Sequence, residues 1–386
     1  MKDNRCLLLT GPVYLPDRVR DAMSKQMIER RGPDVKALME EIIYGLKAVF
    51  KTSHDVLLFP ASGTGGLELA LINTLSPGDT VLSLSCGVFG DRFADIARTH
   101  KLNVIKTDFA WGEGVSIEKV KEILRQDSRK EIKALLITHN ETSTGVANNL
   151  ADLGLLAQEH GALALVDAIS SLAGIDLRTD EWGLDIVVSA SQKALMAAPG
   201  IVMVSVSPKA WTAIEKSQFT KYYWDLRWIK DFYGEKKLAP YTAPTSAMYG
   251  LKEALTMIFE EGLEQVLERH RVIAKALRAG IRAMGLELYV PDEWASATVT
   301  TVKYPPGIDG AAWRQTLRNK YWVSVAGGLG KIEAATFRVG HMGYIGRAQI
   351  IAGLSGMELA LKDFNFPVEL GASLVAAQRA FAEAGL

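Results

Sequence analysis

Two stretches decide the fold: Ala162-Leu163-Ala164-Leu165-Val166-Asp167, and Ile186-Val187-Val188-Ser189-Ala190-Ser191-Gln192-Lys193-Ala194. Each begins as a short aliphatic run of strand length, without the alternation of a strand that is wet on one face. Such runs suit strands covered on both sides, as in a parallel sheet flanked by helices. Each run leads to an ionisable side chain, and open α/β sheets place their ligand groups at the carboxyl ends of strands. A carboxylate there is costly to desolvate unless it meets a cation or hydrogen-bond donors. Asp167 is therefore a candidate ligand group, with an N-cap for a segment beginning at Ile169 as the competing reading. Lys193 stands among small residues, with Pro199-Gly200 soon after. Poor solvation lowers a lysine pKa and favours the neutral amine that attacks carbonyl carbons. A solvated surface lysine is the alternative, and the setting argues against it.

Outward from these runs the chain alternates strands with helices. Val56–Phe59 precedes a helix through Gly66–Leu75, Thr80–Leu84 one near Arg92–His100, and Leu135–Thr138 one at Leu150–Glu159. Upstream, Leu38, Ile42, Leu46 and Val49 give Val35–Phe50 helical periodicity. This predicts an α/β fold with a mainly parallel, doubly wound sheet. A helical stretch from Met248 to about Met284 reads as a joint to a smaller α+β domain, with strands at Leu286–Val290, Ala297–Val302 and Thr336–Val339. The expected division is an extended N-terminal arm at 1–20, a large domain at 21–262 and a small C-terminal domain at 263–386.

Composition narrows the class. The 386 residues are 48% apolar and 23% charged, with Lys plus Arg equal to Asp plus Glu at 44 each. No global field draws such a chain to nucleic acid or to an anionic membrane. Only Cys6 and Cys86 occur, which fits a reducing compartment without disulfides. The Leu7–Leu9 run is too short for a signal-peptide core, and no apolar run approaches membrane-spanning length. A cytoplasmic protein is expected. The scattered histidines show no metal-ligand spacing.

A third candidate is Ser62-Gly63-Thr64-Gly65-Gly66, directly after a strand and opening a helix. Glycines admit an anion close to the backbone, and a helix N-terminus offers free N–H groups with partial positive charge. A phosphate cradle is the functional reading; an ordinary turn with a Ser62 N-cap is the plain one. No Gly-Lys-Ser/Thr follows, which disfavours a nucleotide P-loop. Gly327-Gly328-Leu329-Gly330-Lys331 also resembles a phosphate loop, but Ile332 follows the lysine, and it reads better as a turn near Arg338.

Taken in order, Leu9-Thr10-Gly11-Pro12, Ser62-Gly63-Thr64-Gly65, Val88-Phe89-Gly90, Thr138 to Gly145 (THNETSTG), Val166-Asp167-Ala168-Ile169-Ser170-Ser171, Ser191-Gln192-Lys193-Ala194 and Phe337-Arg338-Val339-Gly340-His341-Met342-Gly343 span nearly the whole chain. This set, with Lys193 lying 26 positions after Asp167, resembles the class V aminotransferases, and within them the alanine/serine–glyoxylate branch. The resemblance implies the PLP-dependent transferase fold of type I, with pyridoxal 5'-phosphate (PLP) as cofactor. By it, Lys193 would hold the cofactor covalently and act as the proton-moving base, and Asp167 would keep the ring nitrogen protonated. Phe89 would stack on the ring, on a smaller platform than the Trp common in this branch, with Ile169 on the other face. Ser62, Gly63, Thr64 and Gln192 would surround the phosphate, and Thr142 the ring hydroxyl. Arg338 would bind the substrate carboxylate, which a guanidinium grips in a fixed plane; a structural salt bridge is its alternative. Tyr241-Thr242-Ala243-Pro244-Thr245 aligns with a segment that reaches the neighbouring subunit's phosphate, so Thr242 and a homodimer are implied. Arg347 reads better as the solvated start of a helix than as a second anion site. The implied activity is ping-pong transfer from L-alanine or L-serine to glyoxylate or pyruvate. Other members acting on ureidoglycine, aminophosphonate or pyridoxamine-type amines, a PLP lyase or desulfurase, and a non-catalytic phosphate binder are the alternatives.

Overall fold

The computed structural model describes residues 5–385. Its larger sheet has seven strands in the order Asp55–Ala61, Gly200–Val206, Ile186–Ala190, Leu163–Asp167, Ile132–Thr138, Thr80–Ser85, Asn103–Asp108. Gly200–Val206 runs antiparallel to both its neighbours, and the remaining pairs are parallel. Two reversals around that strand leave Asp55–Ala61 pointing the same way as the parallel set. The carboxyl ends of six strands therefore share one edge of the sheet, and the segments after five of them bring Ser62, Phe89, Thr142, Asp167 and Lys193 to it.

The two fold-deciding runs behave as their composition dictates, since every residue of Leu163–Asp167 and Ile186–Ala190 is buried. Helices cover both faces. The helix Gly63–Thr74 buries Leu67, Leu69, Ala70 and Leu71 together, so it has almost no wet side. It lies close enough to the sheet that a Cβ on Gly66 would stand 2.5 Å from Val188 Cγ1 and 2.7 Å from Val202 Cγ2. Gly66→Ala should therefore destabilise the protein by about 1–3 kcal/mol, the scale of core overpacking. A urea unfolding midpoint equal to wild type would contradict that packing.

A second sheet, in the order Cys6–Leu8, Val323–Gly327, Thr336–Gly340, Val299–Lys303, has its own apolar core around Trp313, Phe337, Leu317 and Leu354. The N-terminal segment thus departs from the expected loose arm. Cys6–Leu8 is a strand paired in parallel with Val323–Val325, Leu8 lies in the second core, and a helix begins at Asp17. Residues 1–4 of that arm lie outside the described residues.

Two other expectations need correction. The helical stretch from Met248 is two helices, Thr245–Glu261 and Leu263–Ala283, because Gly262 takes a φ of +91° that no helix accommodates. Leu286–Val290 supplies only a single bridge, Leu288 to Val302, before Pro291 turns the chain away. Asn103–Asp108 and Val323–Gly327 were not anticipated as strands: the first is a largely exposed edge strand with Asn, Lys and Asp among its six residues, and the second is five residues long and ends on Ala and Gly, which are depleted in strands. No helix among the described residues is long and apolar enough to cross a membrane.

Candidate active site

At the shared edge lies a cavity of about 170 Å³, lined among others by Ser62, Gly63, Thr64, Phe89, Thr142, Asp167, Ile169, Gln192 and Lys193. Nine of the sequence-derived candidates thus meet around one space. Arg338 reaches its edge from the second sheet. Thr242 is not in this wall: it sits before the helix Thr245–Glu261, with Arg30 Nη1 at 3.5 Å from its hydroxyl. Arg347 begins the helix Arg347–Asp363 and is exposed.

Lys193 lies just beyond the strand Ile186–Ala190, and its Nζ donates to the Thr10 carbonyl at 2.5 Å. The N-terminal segment passes so close that a Cβ on Gly11, whose φ is +109°, would lie 2.6 Å from Nζ. Burial lowers the Lys193 pKa to about 8; Asp167 opposes that shift, and the positive charges of Arg338 and Arg92 add to it. This is not the setting of a solvated surface lysine.

Asp167 is 4% exposed. One of its oxygens accepts the Ile169 N–H at 2.9 Å, the local bond foreseen in the capping alternative, but turns rather than a helix follow. Its other oxygen has no protein donor among the described residues. Burial pushes its pKa up to about 7, a rise that the Ile169 N–H and the positive charges of Lys193 and Arg92 only partly oppose. A buried carboxylate short of donors, on a cavity wall, fits a cationic ring nitrogen.

At the opposite part of the wall, Ser62 occupies the N-cap position of Gly63–Thr74 yet makes no side-chain capping bond, so its hydroxyl is free for a ligand. Gly63 is needed because Ile169 closes on it: an added Cβ would lie 2.3 Å from Ile169 Cδ1. The Gln192 amide oxygen is buried without a partner. Free helix N–H groups, two hydroxyls and an amide suit a phosphate. Phe89 and Ile169 supply apolar surfaces, and Thr142 donates its hydroxyl to Ser170 at 2.7 Å. These residues fit pyridoxal phosphate in charge and in polarity.

Arg338, 6% exposed, donates from Nε to the Gly327 carbonyl at 2.8 Å and from Nη1 to the Thr142 carbonyl at 3.0 Å. It forms no ion pair among the described residues, which disfavours the structural salt bridge. Burial lowers its pKa to about 10, still far above neutrality. A fixed, charged guanidinium held only by neutral carbonyls retains the capacity to bind a carboxylate.

The sequence reading assigned no role to several residues gathered here. Arg92, one turn beyond Phe89, lies 5.0 Å from that ring's centroid and 3.4 Å from the Thr64 hydroxyl. Asn140 donates to Ser170 Oγ and to Thr298 Oγ1, joining the wall to the residue just before the second sheet's strand Val299–Lys303. Glu141 and Thr10 complete the surroundings. Asn140 and Glu141 flank Thr142 in a stretch already singled out, and that proximity was the available signal.

The family model described as "Aminotransferase class-V" matches residues 14–342. The serine–glyoxylate aminotransferase of Arabidopsis thaliana is 39% identical, over 96% of this chain and 94% of that protein. The L-aspartate–glyoxylate aminotransferase of Paracoccus denitrificans is 37% identical, over 98% and 96%. The crystal structure of the ureidoglycine–glyoxylate aminotransferase from Bacillus subtilis superposes with a TM-score of 0.94 at 30% identity, covering 98% of each chain. A match of this extent, on a sheet edge already furnished for the cofactor, establishes that the chain belongs to the class V aminotransferases, enzymes that depend on pyridoxal 5'-phosphate.

Proposed function

We propose that this enzyme transfers the amino group of a small L-amino acid, alanine or serine, to a small 2-oxo acid such as glyoxylate or pyruvate, in two ping-pong halves. The observation that carries this reading is the meeting of Lys193 and Asp167 in one small cavity, with the unpaired Arg338 at its edge. When bound, the cofactor supplies an electron-accepting ring that makes the substrate's α-proton labile. Lys193 moves that proton on its Nζ, and Asp167 holds a proton on the ring nitrogen. Phe89 and Ile169 would hold the ring; Ser62, Gly63, Thr64 and Gln192 would bind the phosphate, and Thr142 the ring hydroxyl. Arg338 orients the substrate through its carboxylate.

Thr242, away from its own chain's cavity, is proposed to complete the phosphate site of a second copy in a homodimer. We also propose a division of the chain at residue 262, and a cytoplasmic location consistent with two free cysteines. A desulfurase reading finds no support in those cysteines. Cys86 is buried beside Asn148 and its pKa is pushed up to about 12; Cys6 lies on a strand of the second sheet with its pKa raised to about 11. Neither lines the cavity.

The test is the visible absorption of the purified holoenzyme. L-alanine or L-serine without an acceptor should bleach the cofactor band, and glyoxylate should restore it. A band unmoved by either amino acid, but bleached by ureidoglycine or an aminophosphonate, would overturn the donor class. Arg338→Ala should weaken amino-acid binding by roughly 2–5 kcal/mol, the scale for stripping one partner from a desolvated charge pair. An unchanged KM in that variant would assign the carboxylate to another residue.

A further inference from the structure

Glu141 is fully buried and makes no ion pair among the described residues. Its Oε2 accepts the backbone N–H groups of Phe89 and Gly90, both at 3.0 Å. Its Oε1 accepts the Ser143 N–H at 3.0 Å and the Ser143 hydroxyl at 2.6 Å. The same hydroxyl accepts the Val88 N–H at 3.0 Å. One carboxylate thus ties the first turn of the helix Val88–Thr99, which carries Phe89, to the loop that carries Thr142. The carbonyl of Thr142 is in turn an anchor of Arg338.

The surroundings call for two acceptor oxygens here. Three of the four donors are backbone N–H groups, which cannot become acceptors, and an amide would turn its own NH₂ against some of them. Burial raises the Glu141 pKa overall, and the four donors oppose that rise, as does a helix N-terminus, which favours negative charge. Space is reserved for it as well, because a Cβ on Gly87 would lie 2.4 Å from Glu141 Cγ.

We propose that Glu141 is a positioning residue, whose carboxylate holds the aromatic wall of the cofactor site, Phe89, in register with its polar wall, Thr142 and Arg338. The proposal rests on Phe89 being the surface on which the ring stacks. A merely structural cap would stabilise the fold without reporting at the cofactor. The molecule contains such a cap: Glu358, 2% exposed, accepts the Gly371 N–H at 2.7 Å and the Ser373 N–H at 2.8 Å in the second core.

The experiment compares Glu141→Gln, Glu358→Gln and Phe89→Ala by thermal midpoint, visible circular dichroism of the holoenzyme, and PLP affinity of the dialysed protein. Both glutamine variants should melt lower than wild type. Only Glu141→Gln should lose visible dichroism and bind PLP roughly ten- to a hundred-fold more weakly, the scale of buried donors left unsatisfied. Its KM for the amino acid should also rise, because Arg338 loses a fixed anchor. A Glu141→Gln protein with a lowered midpoint but wild-type dichroism and affinity overturns the proposal and leaves the stacking role of Phe89 standing. Wild-type dichroism in Phe89→Ala overturns both. If Glu141→Gln does not fold, Ser143→Ala removes one donor and the acceptor of the Val88 N–H, and is read by the same criteria.

Discussion

Lys193→Ala should abolish transamination, by at least about 10⁴-fold, because one substitution removes both the covalent anchor and the proton-moving base. The fold should survive. Among the described residues the only partner of Nζ is the Thr10 carbonyl, and losing a hydrogen bond at a site open to the cavity costs on the order of 1 kcal/mol. PLP should still bind through its phosphate and ring contacts, but without the covalent bond it should leave on gel filtration. The wild-type pH dependence follows from the same residue. Only the neutral amine attacks an aldehyde carbon, and burial brings the Lys193 pKa down to about 8. The neutral fraction grows as pH rises through that value, so capture of PLP by the dialysed protein should accelerate with pH and level off above about 8. Stopped-flow absorbance measures this directly. Capture that continues to accelerate toward pH 10 would mean that the lysine is solvated, and residual turnover in the alanine variant would remove it from the chemistry.

How much of this was legible in sequence depended on the range of each interaction. Strand and helix alternation is local, and the sheet edge that gathers Ser62, Phe89, Thr142, Asp167 and Lys193 follows from it by topology alone. Asp167 and Lys193 stood out because an ionisable side chain beside a wholly apolar strand is expensive without a purpose. The Thr10 carbonyl on Lys193 comes from 183 residues away, and Arg338 on Thr142 from 196 residues away. No local pattern encodes such contacts. Glu141 was unreadable for a different reason: three of its four donors are backbone N–H groups, which leave no mark in a sequence. The break at Gly262 was missed because a glycine inside a helical pattern is usually tolerated.

Asp167→Asn should cut turnover by about 10²- to 10³-fold, the scale for removing one preorganised charge from a buried site. The amide oxygen can keep the bond from the Ile169 N–H, so the local turn should persist. The other oxygen becomes an NH₂ group, a donor where the ring nitrogen's proton needs an acceptor. The stability of the cofactor-free protein should move the opposite way. Burial raises the Asp167 pKa from 3.8 to about 7; the negative charge of Glu141 adds to this, and the Ile169 N–H, Lys193 and Arg92 oppose it. Between those two values the folded protein holds a proton that the unfolded chain has released. Stability from this group is therefore present at low pH, falls as pH rises from about 4 to about 7, and stays reduced above that. The asparagine variant has no such loss. Without cofactor it should unfold at a higher temperature than wild type at pH 8, with a smaller gap at pH 5. Saturating PLP should reverse the order at pH 8, because only the carboxylate gains a cationic partner. A variant less stable than wild type in the cofactor-free state at pH 8 would mean that the protein itself satisfies Asp167. A carboxylate that destabilises the empty fold and is relieved by its ligand is kept for binding, and that ordering of midpoints separates the two cases without any measurement of turnover.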